Sequence, residues 1–87
     1  MYKPFFHKKA SKYYKSLDDK TARRVNKAIG DMTKIPFEGT HIKRLRGKLE
    51  GKYRYAVGDL RIVYQVNAEE GTILIEAIGP RGDVYKR

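Results

Sequence analysis

Along this chain the spacing of apolar residues changes period. From Lys8 they fall at Ala10, Tyr13, Tyr14 and Leu17, the i, i+3, i+4, i+7 pattern of one helical face. Asp18 and Asp19 break that face, and Asp18 is suited to cap a second helix, since its carboxylate can accept from unpaired N–H groups of the first turn. The second helix sets Ala22, Val25, Ala28, Ile29, Met32 and Ile35 on one side and Lys20, Arg23, Arg24, Lys27 and Asp31 on the other. So short a break between the two predicts an antiparallel αα-hairpin. Pro36 cannot continue the helix and Gly39 marks a loop. From Lys52 the period drops to two, and residues 52–57, 60–67 and 72–79 read as strands, the last two joined by the turn "NAEEG". Residues 1–7 read as a short edge strand, because Pro4 has no N–H for a sheet centre. Residues 83–86 read as a further short strand. The order β-α-α-β-β-β predicts an α+β fold: an N-terminal strand and an αα-hairpin packed on an antiparallel β-sheet.

The stretch "KYRYAVGDLRIVYQV" carries the candidate chemistry. Gly58-Asp59 signals a two-residue hairpin loop. That loop pairs Val57 with Leu60, Ala56 with Arg61, Tyr55 with Ile62 and Arg54 with Val63. Tyr53, Tyr55, Val57, Leu60, Ile62, Tyr64 and Val66 then share one apolar face, which should meet the helices. The other face carries Lys52, Arg54, Ala56, Arg61, Val63 and Gln65, with Arg54 and Arg61 as diagonal neighbours. Two guanidinium groups that close repel unless an anion lies between them, and phosphate suits their bidentate geometry. The plainer reading is a solvated pair, or a pair neutralised by Glu76 on the next strand. The segment "GPRGDVYKR" adds Arg81 between two glycines and Tyr85 four residues on. A third cation and an aromatic beside a two-arginine face suit RNA.

Composition sharpens this picture. The chain has 87 residues, enough for one domain over 1–87 with one modest core. It has 20 Lys plus Arg against 10 Asp plus Glu, a net charge of +10, which points to a polyanionic partner, nucleic acid or acidic protein. "IKRLRGKLEGK" concentrates that charge in Lys43, Arg44, Arg46, Lys48 and Lys52, either a grip on RNA phosphates or a solvated basic loop, with Leu45 as its anchor to the core. The absence of cysteine excludes disulfides and Cys-based zinc sites. His7 and His41 stand apart, without metal-ligand spacing, so no metal and no cofactor are expected. The apolar runs are too short for a signal peptide or a bilayer span, so a soluble cytoplasmic protein with no membrane partner is expected.

"LRGKLEGKYRYAVGDLRIVYQV" followed by "IGPRGDVYKR" resembles the RelE toxins of bacterial and archaeal toxin–antitoxin pairs, within the RelE/ParE superfamily. The likeness covers most of the chain; each motif alone is weak. It implies a compact α+β domain like a microbial ribonuclease, a cognate antitoxin that silences it, and cleavage of mRNA in the ribosomal A site by attack of the 2′-hydroxyl on the adjacent phosphate. By that resemblance Arg61 is the central-strand arginine that stabilises phosphate charge, and Arg81 the one facing the leaving 5′-oxygen. Tyr85 is the tyrosine that stacks on a base or moves a proton, and Arg54 the basic residue near the attacking oxygen. Ala56 stands where some members carry a lysine, for which Lys52 on the same face is the expected substitute, and Pro80 stands where many carry a polar residue. No general base is evident, so catalysis would rest on electrostatic stabilisation and in-line positioning. Two other readings stay open: a ParE-like DNA gyrase inhibitor with no RNA chemistry, and a non-catalytic basic RNA- or protein-binding module.

Overall fold

His7 opens the first helix instead of ending the first strand: its Nδ1 accepts from the Lys9 N–H at 3.2 Å while its own backbone stays extended. That cap separates strand β1 (Lys3–Phe6) from helix α1 (Lys8–Lys15). The computed structural model describes residues 1–85. Ser16 closes α1, and Asp18 caps helix α2 (Asp19–Lys34) by accepting from the Thr21 N–H at 3.3 Å. The Thr21 side chain first, and this backbone bond second, hold the Asp18 carboxyl below its ordinary pKa. The helix ends at Ile35, whose side chain is 59% exposed and so leaves the apolar face on which its spacing had placed it. Strands β2 (Ile42–Arg44), β3 (Tyr53–Val57), β4 (Leu60–Asn67) and β5 (Thr72–Pro80) follow, with a 3₁₀ turn at Gly47–Leu49 before β3. β2 was not anticipated within the basic loop. Residues 83–85 form a turn, not a strand, and Lys86 lies outside the described residues.

The strands form a single five-stranded sheet in the order β1-β5-β4-β3-β2. β3, β4 and β5 are antiparallel neighbours, as the alternation predicts, and the unanticipated β2 joins antiparallel to β3. β1 adds to β5 in parallel, so the sheet is mixed, with β1 and β2 at its edges. The hairpin register is the expected one: Val57 opposite Leu60, Ala56 opposite Arg61, Tyr55 opposite Ile62, Arg54 opposite Val63.

One face of the sheet meets the helices. Ala10 of α1 and Val25, Ala28 and Met32 of α2 close on Tyr55, Ile62, Tyr64, Ile73, Ile75 and Ile78. Each fully buried Val, Ile or Met contributes about 1.5–3 kcal/mol. Tyr13, Tyr14 and Tyr53 pack at the margin of this core, as their spacing suggests. The Tyr64 hydroxyl is fully buried and donates to the Pro36 carbonyl at 2.8 Å, pinning the loop after α2. The Tyr55 hydroxyl donates to Asp31 Oδ2 at 2.9 Å; burial first, then this carboxylate, pushes the phenol up to about 12.

β4 and β5 slip by one residue. Val63 faces Ala77, but Tyr64 faces Ile75, so Glu76 is the extra residue of a β-bulge. The slip lets Ile73, Ile75 and Ile78 all reach the helical core despite their uneven spacing, and it leaves Glu76 on the outer face beside Ala77.

Candidate active site

The face turned away from the helices is not a plain solvated surface. Val63 and Ala77 form an apolar floor at its middle, 3% and 4% exposed. Leu45, just after β2, packs on it, as does Val84 from the turn after β5. Leu45 is thus an anchor, but to this second small cluster and not to the main core. Val84 packs over Gly79, where a Cβ would meet the Val84 Cβ in ordinary contact at 3.7 Å.

The arginines stand around that floor. Arg54 lies opposite Val63 on one side and Lys43 on the other, so Lys43, Arg54, Val63 and Ala77 make one row across four strands. Arg61 stands in the next row toward the hairpin tip, between Ala56 and Gly79. Each arginine is held by main-chain oxygens. Arg54 Nη1 donates to the His41 carbonyl at 2.8 Å, and Arg61 Nη1 donates to the Gly58 and Leu60 carbonyls, both at 2.9 Å. The remaining guanidinium nitrogens of Arg61 have no acceptor among the described residues. The Arg81 backbone N–H donates to Asp59 O at 2.8 Å, which ties the start of the last turn to the hairpin tip. Tyr85, at the end of that turn, is 36% exposed.

Glu76 neutralises neither Arg54 nor Arg61. It pairs with Lys52 at 2.7 Å and accepts from Gln65 Nε2 at 2.6 Å. Glu76 is therefore an ion-pair partner, but of the lysine expected to make up for Ala56. Lys52 reaches the outer face already compensated. The spacing of Ile73, Ile75 and Ile78, two and then three, is the signal that could have shown the bulge and the new aim of Glu76.

The basic loop is divided. Lys43, Arg44, Arg46 and Lys52 line a cleft of about 930 Å³ beside the β2 edge, with Leu45, Glu50 and Tyr53 in its walls. Arg44 pairs with Tyr53 and so turns to the helical face, opposite to Lys43. Lys48, in the 3₁₀ turn, is exposed and does not line the cleft. His41 has two roles unforeseen from its isolation: its carbonyl holds Arg54, and its ring lies 5.6 Å from that of Tyr55.

This arrangement offers a phosphate the Arg61 guanidinium at one end of a shallow apolar floor and the Arg54 guanidinium at its middle, with Arg81 and Tyr85 on the turn that follows β5. Known proteins share the scaffold. The chain is 29% identical to the RelE of an archaeal RelE–RelB complex from Pyrococcus horikoshii, with a TM-score of 0.79 over 93% of this chain and 96% of that one. The intact RelBE toxin–antitoxin complex of E. coli matches with a TM-score of 0.80 at 22% identity, over 92% of this chain and 96% of the other, which speaks to the fold alone. By sequence it is 34% identical over 64 residues to Toxin YoeB of Mycobacterium bovis, covering 71% of this chain and 75% of that toxin. It is 32% identical over 60 residues to Toxin RelG of Mycobacterium tuberculosis, covering 69% and 67%. The family model for the ParE toxin of type II toxin–antitoxin systems matches residues 5–85, nearly the full described length. The chain belongs to that toxin family, within the RelE/ParE superfamily.

Proposed function

We propose that this toxin is a ribosome-dependent endoribonuclease that cuts mRNA in the A site, with Arg61 and Arg81 as its main contacts to the reacting phosphate. The observation that carries this reading is the Arg61 guanidinium, held by two carbonyls at the hairpin tip with no carboxylate partner among the described residues, beside the turn that bears Arg81. In the reaction the 2′-oxygen attacks the adjacent phosphorus and the P–O5′ bond breaks. A 2′,3′-cyclic phosphate and a 5′-hydroxyl result; the 2′-hydroxyl proton is lost and one is delivered to the 5′-oxygen. Two backbone carbonyls fix Nη1 of Arg61, so its free nitrogens are aimed before substrate arrives. Such preorganised charge needs no rearrangement as the phosphorane forms. Arg81 serves the leaving oxygen and Arg54 the attacking one. Tyr85 stacks on a base or transfers a proton, and the cleft of Lys43, Arg44 and Arg46 holds flanking phosphates. Arginine is a poor proton carrier, which leaves substrate alignment to the ribosome.

The protein acts in the cytoplasm and is silenced by an antitoxin whose acidic and apolar residues cover the outer face and exposed side chains such as Phe5, Ile35 and Phe37. Mapping mRNA ends in ribosomes after induction tests the reading. Arg61→Ala and Arg81→Ala should each lose about 10²–10³ in cutting rate, with the fold intact. Intact mRNA together with blocked DNA gyrase would establish the ParE-like activity instead.

A further inference from the structure

The Gly58-Asp59 turn is approached by arginines from both faces of the sheet. From the helical side Arg24, on the exposed face of α2, lays its guanidinium against Gly58. A Cβ at Gly58 would lie 2.6 Å from Arg24 Nη2 and 3.3 Å from both Cζ and Nη1. From the outer side Arg61 donates to the Gly58 carbonyl, and the Arg81 N–H donates to the Asp59 carbonyl. The turn thus meets two guanidinium groups, that of Arg24 from α2 and that of Arg61 from β4, together with the backbone of Arg81. Gly58 suits the turn because its φ of +57° is a conformation side chains disfavour, and its bare Cα leaves room into which the flexible Arg24 fork reaches. Among the described residues none of the three arginines is ion-paired. Converging cations repel, and an anion bridging them relieves the repulsion. Lys20 and Lys27 are exposed at positions i−4 and i+3 from Arg24, so the basic stripe continues along α2.

We propose that Arg24 holds a second phosphate of the RNA strand, next to the one at Arg61, so that the turn is a two-sided phosphate clamp guiding the strand from the outer face onto α2. Bidentate arginine geometry and continuity with the arginines of the outer face favour RNA over an acidic protein segment. The proposal rests on the nuclease reading of that face.

The test is binding of a short single-stranded RNA with 2′-O-methyl riboses, which cannot be cleaved, to the full chain across a salt series. Each variant is first checked by thermal melting. Arg24→Ala should lower the slope of log affinity against log salt by about 0.7, one single-strand phosphate contact. Gly58→Ala should do the same without changing charge, by pushing the fork away. Lys15→Ala, which removes an exposed charge on α1, should leave the binding contacts in place and serves as the control. Equal slopes for Arg24→Ala and Lys15→Ala would overturn the proposal. So would an unchanged RNA slope alongside lost affinity of Arg24→Ala for a glutamate-rich peptide, which would make the turn a protein contact. If Arg61→Ala abolishes mRNA cutting while Arg24→Ala keeps its slope, the clamp falls and the nuclease stands. If the wild type cuts no mRNA, the nuclease reading falls, and the slope still decides the clamp.

Discussion

Replacing Glu76 by glutamine should make the protein less stable and a better RNA binder at once. The substitution keeps shape and an oxygen that can accept from Gln65, but removes the negative charge 2.7 Å from Lys52. The two side chains are 30% and 19% exposed, between a surface pair and a buried one. Losing such a pair costs about 0.5–1.5 kcal/mol, above the exposed range and well below the buried one. For 87 residues the unfolding entropy is roughly 0.18 kcal/mol/K, so melting should fall by roughly 3–8 °C. The freed Lys52 ammonium, at the rim of the basic cleft, can then take a phosphate. The salt slope for non-cleavable single-stranded RNA should steepen by about 0.7. Calorimetry and a salt series of fluorescence anisotropy read the two effects. Weaker RNA binding by Glu76→Gln would refute the reasoning, because it would mean that Glu76 holds Lys52 in place for the RNA instead of competing with it.

Tyr64→Phe removes a buried hydroxyl and strands the Pro36 carbonyl; urea unfolding should show a loss of about 1–3 kcal/mol at unchanged m-value. Alkaline stability should follow Tyr55, whose folded pKa is raised to about 12 from the ordinary value near 10. Below about pH 10 its contribution is complete; above that the unfolded chain loses the proton first, and stability drains away toward pH 12. Across that range the melting point should fall less steeply with pH in Tyr55→Phe, the remaining loss following Tyr64, whose phenol burial also pushes up. Val84→Ser uncovers the Val63–Ala77 floor and should slow mRNA cutting about tenfold by loosening the Arg81–Tyr85 turn, a modest loss compared with removing a phosphate contact.

Strand alternation around Gly58-Asp59 was enough to place Ile62 and Tyr64 inward and to align Arg54 with Val63 and Arg61 with Ala56, because a two-residue loop leaves the register no freedom. β2 escaped notice because Ile42–Arg44 is short and mostly charged, and it becomes a strand only by pairing with β3. The same holds for the parallel edge: nothing local to Lys3–Phe6 names Thr72–Ile75 as its partner. At the site, sequence spacing brought Arg54 and Arg61 to one face. It could not show that backbone carbonyls hold both, that Glu76 takes Lys52, or that Arg24 crosses to the turn from the far side. Those outcomes depend on side-chain reach across elements, which no local pattern encodes.

The pairing of β1 with β5 sets an order of events during synthesis. Lys3 aligns with Thr72 and Phe6 with Ile75, so the first strand made has no partner until the last one has left the ribosome. β5 is also the strand on which β4 completes its ladder, and against which α1 packs. The helical hairpin can form early, since its contacts are local, but the sheet beneath it must wait. Closure therefore waits for β5, with contacts that span nearly the whole described chain. Until then Arg61 has neither Gly79 beside it nor the Arg81 turn above it. A chain that still lacks β5 therefore lacks one wall of the face that carries Arg54 and Arg61.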